Sequence, residues 1–212
     1  GPRTIIIPIL NIYGTGARVQ KELPDCTVLD GCIYVSASLE HPGVLVQHGP
    51  ILRVVFGPRD PSYISPILSA IQSDLCESGI DGVLSTHIQR DALEKFSYVS
   101  PIGAAGVYLH AVAGDFQKEG PARELFKSMI REISALAAAM GYPFEKDYVK
   151  INLEILSNLS ADATTSMQRD IMEGKPSELD GLVMEPLRLA KKYSVSMPCY
   201  EEVANTLCPL EF

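Results

Sequence analysis

Four polar side chains, Lys95, Ser166, Glu178 and Asn11, are the ones whose type and setting could do chemistry. Lys95, in Glu94-Lys95-Phe96, stands at the head of a long, mostly apolar segment. An ammonium projecting from a buried helix into a cleft can donate a proton to a carbonyl oxygen as hydride arrives at the carbon. Ser166 and Glu178 lie twelve positions apart, each near the start of an expected helix. A hydroxyl and a carboxylate so placed can make a polar pocket. Asn11 closes the short β-branched run TIIIPIL, residues 4–10. Each residue also has a plainer reading: Lys95 pairs with Asp91 one turn earlier on a solvated face, Ser-x-x-Glu and Gly-x-Pro are ordinary connectors, and Asn is a common turn former.

The stretch 162–180 (DATTSMQRDIMEGKPSELD) must position two of the four, and it reads as a short helix, a forced stop and the start of a second helix. Asp162 is expected to cap the first helix, with Thr164, Thr165 and Ser166 in its first turn. Gly174 and Pro176 end that helix, because Gly takes the left-handed cap conformation and Pro disfavours helix at the residue before it. Ser177 is expected to cap the next helix, where the dipole favours the carboxylates of Glu178 and Asp180.

Ahead of that stretch the chain divides near residue 86, strand-rich before it and helical after it. Residues 4–10 suit a buried strand of a mostly parallel sheet, and 18–23 a helical turn or two. Four short strands are expected at 26–29, 32–39, 44–48 and 52–56, separated by Asp30-Gly31, Pro42-Gly43 and Gly49-Pro50. Residues 61–78 carry Ile64, Ile67, Leu68, Ile71 and Leu75 at helical spacing, with Gly79 as the cap, and Val83-Leu84 closes this part as a last strand. Helices are then expected over 88–113, 119–140, 145–158, 163–173, 177–193 and 198–207, with stops at Gly114, Gly141-Tyr142-Pro143, Gly174 and Pro198. The first is apolar nearly all round, which belongs in the middle of a bundle. Pro101, Gly103 and Gly106 inside it imply a kink.

Composition narrows the function classes. With 212 residues, 46% of them hydrophobic, the chain can bury a real core as one large domain or two small ones. A net charge of −8, a pI of about 5.0 and no basic cluster argue against nucleic acid or an anionic membrane as partner. Cys26, Cys32, Cys76, Cys199 and Cys208 are odd in number and scattered, which fits buried thiols of a reduced, cytoplasmic chain. His41, His48, His87 and His110 lack metal-ligand spacing, so no metal is expected. No apolar run approaches the roughly 18 residues that span a bilayer, and no signal-peptide pattern opens the chain as given.

The string Thr165-Ser166-Met167-Gln168-Arg169-Asp170-Ile171, followed by 174–181 (GKPSELDG), resembles the C-terminal signature of the ketopantoate reductases (2-dehydropantoate 2-reductases), long and without gaps. The resemblance implies an α/β plus all-α fold: the C-terminal part of a Rossmann-like dinucleotide-binding domain (1–86), then a helical domain for substrate and dimerisation (87–212). It implies NADP as cofactor and a small 2-oxoacid as substrate, with a homodimer left open. The family carries a catalytic Lys about 70 residues before the signature, in the context that Lys95 occupies, which makes Lys95 the general acid. By the same resemblance Glu178 meets the substrate hydroxyl and borders the cofactor, Ser166 holds the substrate carboxylate, and Asn11 sits at the cofactor–substrate junction.

The departures are as informative. Family members carry Asn four and eight residues after the Lys and three before the signature Ser, whereas this chain has Val99, Gly103 and Ala163. Ser100, Thr164 and Thr165, one register away, are the residues that could compensate. Ile12 stands where the family has Gly after the Asn. A pocket that loses polar partners loses discrimination for a polyhydroxylated acid. The chain also has no Gly-x-Gly-x-x-Gly between a first strand and a first helix; Gly14-Thr15-Gly16 is too short a match and follows the wrong strand. The resemblance begins near the fourth strand of the family's nucleotide domain, so about 90 residues of βαβ structure are expected to be missing, through a fragment or a natural truncation. A half sheet would expose an edge and an apolar face, favouring dimerisation or strand exchange. The rival expectation is a non-catalytic helical dimer or regulator; a third is a reductase for another 2-oxoacid.

Overall fold

The β-branched run that opens the chain becomes a strand only at its start. In the computed structural model, which describes residues 4–63 and 65–207, β1 is Ile5–Ile6, and it pairs in parallel with β2, Thr27–Val28. Pro8 has no N–H to give a ladder, and Leu10 is 57% exposed. The connection is α1, Thr15–Glu22, so the segment is a βαβ unit. Three features read from the sequence, Ile64, Cys208 and the leading Gly1-Pro2, lie outside the described residues. The chain divides into two units, Gly1–Ala92 and Leu93–Phe212.

In the first unit β3, Asp30–His41, runs antiparallel to β4, Val44–Gly57, and β4 runs parallel to β5, Asp81–Leu84. Two expected breaks are not breaks. Asp30 and Gly31 open β3, Gly31 pairing with Phe56; a Cβ at Gly31 would lie 2.9 Å from Ile7 Cγ2 and 3.2 Å from the Pro8 carbonyl, so packing rather than a turn demands the glycine. Gly49-Pro50 lies inside β4 as an irregularity, residues 48–51 standing between the pairs Gln47–Ala37 and Leu52–Val35 and opposite Ser36 alone. The Pro42-Gly43 turn is as expected.

The next helix, α2, is Pro66–Glu77 and starts later than position 61. Asp60 Oδ1 accepts from Ser62 N (2.9 Å) and Ser62 Oγ (2.7 Å), holding a local turn, and Pro66 takes a first-turn position where no N–H is needed. Alternation along β4 then fills both faces of the sheet: Val54 and Phe56 pack with Leu29 and with Leu68, Ile71 and Leu75 of α2, while Val55 meets Cys32 and Ile88.

The rest is helical: α3 (Ile88–Leu109), α4 (Ala113–Gln117), α5 (Pro121–Ala139), α6 (Tyr148–Ser157), α7 (Ser166–Met172), a π-helical turn (Asp180–Met184) running into α8 (Glu185–Tyr193), and α9 (Pro198–Leu207). Gly114, expected as a stop, lies inside α4, where its N–H donates to the Ala161 carbonyl at 2.7 Å. As expected, α3 is the interior helix, with every residue from Ser100 to Gly106 buried. It runs unbroken through Pro101. Pro101 has no N–H for the carbonyl of Ser97, four residues back. Asn152 of α6, 1% exposed, supplies it: Nδ2 donates to Ser97 O and to Ser97 Oγ, both at 3.0 Å.

The fold is therefore an α/β part followed by an all-α part. Among the described residues Cys26, Cys32, Cys76 and Cys199 are in no disulfide, no cluster of His, Cys, Asp or Glu is gathered to hold a metal, and no helix is long and apolar enough to cross a membrane.

Candidate active site

The signature segment opens on a capping box, three residues after the cap expected at Asp162. Thr165, not Asp162, caps α7: its Oγ1 accepts from Gln168 N at 3.2 Å, and Gln168 Oε1 accepts from Thr165 N at 2.9 Å. Asp162 instead accepts a hydrogen bond from the Ser160 hydroxyl. Ser166 thus becomes the first residue of α7 and is exposed, with Met167 and Gln168 buried behind it.

Two glycines of α3 receive this helix start. A Cβ at Gly106 would lie 2.7 Å from Gln168 Cδ, and the Gln168 amide donates to the Ala111 carbonyl at 2.7 Å. A Cβ at Gly103 would meet Met167 Cε at 3.1 Å, Leu182 Cδ1 at 3.7 Å and Thr165 Oγ1 at 4.0 Å. The start of α7 and the π-helical turn therefore converge on α3 at Gly103.

Between them the chain stops where the residues say it should. Gly174 takes φ +66°, Lys175 N donates to Asp170 O at 2.8 Å and Gly174 N to Ile171 O at 3.1 Å, the paired bonds of a Schellman end. Ser177 lies ahead of the next opening rather than at it: the π-helical turn is flanked by Leu179, and Leu182 N donates to the Glu178 carbonyl at 2.9 Å. Glu178 is half-buried at that opening. Asp180, its partner acid in the sequence reading, is clamped in a bidentate pair by Arg188 at 2.8 and 2.6 Å.

A strut fixes the π-helical turn. Ser100 Oγ donates to the Leu182 carbonyl at 2.6 Å and also meets the Tyr200 hydroxyl, both residues fully buried. Tyr200 is held in turn by Glu132 of α5, whose carboxylate accepts from Cys199 N (2.8 Å) and Tyr200 N (3.2 Å) at the start of α9. Burial pushes the Tyr200 phenol far above its usual range. Widened turns of this kind often mark functional sites, and neither periodicity nor spacing announced it. Of the three residues that could compensate for the absent Asn side chains, Ser100 is engaged in the strut and Thr165 in the cap, while Thr164 meets Arg169 Nη1 through its carbonyl at 2.8 Å and its hydroxyl at 3.4 Å.

Lys95 is half-buried on α3, about 12 Å along the axis from Gly103 at 1.5 Å per residue. Residues 95, 99 and 103 follow at four-residue steps along one side of the helix. That side carries Lys95, then Val99, then the glycine on which α7 and the π-helical turn meet. Nearby on α3, Tyr98 stacks edge-on against Phe126 (6.0 Å, 85°) with its hydroxyl buried and without a hydrogen-bond partner; burial pushes its pKa up to about 12.

Asn11 belongs to the other unit, half-buried in the turn between β1 and α1. The Gly14-Thr15-Gly16 turn there opens α1, and a Cβ at Gly16 would lie 1.9 Å from Asp30 Oδ1. A carboxylate thus already stands beside the first turn of α1, where a phosphate would be drawn.

Residues 87–211 match the family described as ketopantoate reductase PanE/ApbA C terminal. An uncharacterized oxidoreductase of Bacillus subtilis, YkpB, is 22% identical over 204 residues, 96% of this chain and 67% of that protein. The crystal structure of 2-dehydropantoate 2-reductase from Methylococcus capsulatus superposes with a TM-score of 0.86 at 23% identity, over 98% of this chain and 66% of that one. A D-mandelate dehydrogenase solved with NADH gives a TM-score of 0.81 at 19% identity, over 95% and 68%. The chain spans 61–67% of the length of the curated relatives it matches.

Proposed function

The chain belongs to the ketopantoate reductase PanE/ApbA family, and from that premise we propose that the whole protein reduces a 2-oxoacid with NADPH, the substrate being 2-dehydropantoate and the product pantoate, a step of pantothenate biosynthesis. The observation that carries this reading is the convergence of the signature segment on Gly103, on the side of α3 that also bears Lys95. Residues 1–86 are the remainder of the Rossmann-like NADP-binding domain, and 87–212 bind the substrate and form a homodimer in the cytoplasm.

The described residues do not fit the pyrophosphate of a dinucleotide, because the space beside Gly16, in the one Gly-rich turn among them that opens a helix after a strand, is filled by Asp30, the Leu29 carbonyl and Arg59. A reduced nicotinamide, when bound, supplies the hydride, and the work of these residues lies on the substrate side. The Lys95 ammonium donates its proton to the substrate carbonyl oxygen, which becomes the hydroxyl of the product. Glu178 accepts a hydrogen bond from that hydroxyl. Ser166, exposed at the first turn of α7, donates to the substrate carboxylate, and Asn11 stands where cofactor and substrate meet.

A second reading is favoured by one observation. Gly103 faces Met167 and Leu182, and Ser100 and Thr165 are spent on structural bonds. Val99, half-buried one turn beyond Lys95, offers a substrate only an apolar side chain, which suits a branched 2-oxoacid with few hydroxyls.

The test is an NADPH fluorescence titration and a turnover assay on this chain and on one extended at its N-terminus, with a panel of 2-oxoacids. Binding and turnover in the extended chain are expected, with Lys95→Ala lowering kcat by about 10²- to 10⁴-fold and leaving NADPH binding intact. Undiminished turnover in Lys95→Ala would refute the role of the lysine, and silence from both chains would refute the reductase.

A further inference from the structure

The turn that carries Asn11 is tethered by a chain of partly buried side-chain hydrogen bonds that the proposed chemistry does not use. Tyr13, 9% exposed, donates its phenolic hydrogen to Gln89 Oε1 at 2.6 Å. Gln89 Nε2 donates to Asp30 Oδ2, and Arg59 Nη1 lies 3.5 Å from Asp30 Oδ1. Arg59 also reaches the Leu29 carbonyl and Gln20 Oε1, each at 3.4 Å. The Asp30 carboxylate sets the orientation of the Gln89 amide, because it accepts only: a flip would turn the amide oxygen against it and lose that bond, whereas the present orientation leaves Oε1 to accept from the phenol.

The turn needs such a tether. Residues 11–14 are irregular, and Gly14 sits at φ +79°. Thr15 Oγ1 holds one side by donating to the Ile12 carbonyl at 2.7 Å, and Gln89 holds the other through Tyr13. Asp30, 7% exposed, anchors the amide from the first residue of β3, which the Gly57 pairing fixes. A carboxylate so placed is worth its desolvation only with partners on both oxygens, and it has them.

We infer that Tyr13, Gln89 and Asp30 are positioning residues: they fix the Asn11 turn and act on the reaction only through Asn11. The inference rests on the reading of Asn11 as the residue at the cofactor–substrate junction. Tyr13→Phe is the probe, since it keeps the ring and deletes only the O–H donor.

Two measurements decide it. In the full chain, hydrogen exchange of the amides of residues 12–15 is expected to quicken about five- to tenfold in Tyr13→Phe and in Gln89→Leu, with β4 and β5 unchanged. Exchange at the turn equal to that of the parent chain would overturn the tether, whatever the fate of the enzymatic reading. In the N-terminally extended reductase, Tyr13→Phe is expected to lower kcat/KM three- to tenfold (order of magnitude from one lost hydrogen bond), and Asn11→Ala/Tyr13→Phe to be no slower than Asn11→Ala alone. If the two substitutions multiply instead, Tyr13 acts on the fold at large and the inference fails. If Asn11→Ala leaves the rate untouched, the junction role of Asn11 falls, and the exchange result still decides the tether.

Discussion

Replacing Asn152 tests how a proline is accommodated in the central helix. Pro101 removes one N–H from α3, and the carbonyl it strands belongs to Ser97, a residue with no exposed surface. Water cannot replace the Asn152 amide there. Asn152→Leu keeps the branched shape, with bulkier methyls whose packing cost is common to both backgrounds, and deletes the donor, so the buried Ser97 carbonyl goes unpaired at a cost of about 1–3 kcal/mol. Ser97 Oγ loses an incoming bond as well, but it still donates to the Glu94 carbonyl at 2.7 Å and adds little to the loss. A companion substitution, Pro101→Ala, restores the missing N–H within the helix. In that background the Ser97 carbonyl has its helical donor back, and Asn152→Leu should cost at least about 1 kcal/mol less than it does alone. Equilibrium urea unfolding of the four proteins, followed by far-ultraviolet circular dichroism, reads the cycle from midpoints at constant slope. If the two changes add to within about 0.5 kcal/mol, Asn152 is not there to serve the carbonyl that Pro101 strands, and the reasoning fails.

Two further outcomes follow from the same helix. Gly106→Ala should destabilise by about 2 kcal/mol although alanine is the better helix former, because its methyl would displace a Gln168 amide held by both the α7 cap and Ala111; Gly103→Ala, which meets only the flexible end of Met167 closely, should be near neutral, and thermal melting that ranks the two the other way would overturn the packing argument. Burial pushes the Tyr98 phenol up to about 12 in the folded protein against 10.0 for the free group, so the unfolded chain releases this proton first as pH rises; the group leaves stability unchanged below pH 10 and costs about 2–3 kcal/mol of it between about 10 and 12. Tyr98→Phe should therefore flatten the alkaline loss of stability, and at neutral pH should be neutral or stabilising because the hydroxyl has no hydrogen-bond partner; an unchanged alkaline profile would count against the burial that raises this group.

Much of the signature segment could be read from residues alone, since helix stops are local events. Gly174 adopts its positive φ and closes α7 through bonds to residues three and five back, all within a few positions of sequence. The long apolar run around Lys95 likewise announced an interior helix, because a segment apolar on every side has no face to give to water. What went astray were choices between local signals of equal strength. Asp162 and Thr165 are both sound caps; Thr165 prevails because its partner Gln168 must also reach Ala111 across from α3, a contact that no window of sequence contains. Asp30-Gly31 has the composition of a turn, and it became a strand because Ile7 and Pro8 press against Gly31.

By itself, then, the sequence determined the strand-rich start and helical remainder, the stops at Gly79 and Gly174, and the interior place of α3. Only the tertiary structure decided which polar groups were already committed: Ser100 to Leu182 and Tyr200, Asn152 to the carbonyl behind Pro101, Asp180 to Arg188, and Asp30 to Gln89 beside α1. The physical reason is reach. Backbone sterics and capping act over a turn or two, whereas a buried donor takes whatever acceptor packing brings to it, and Ser97 and Asn152 are fifty-five residues apart.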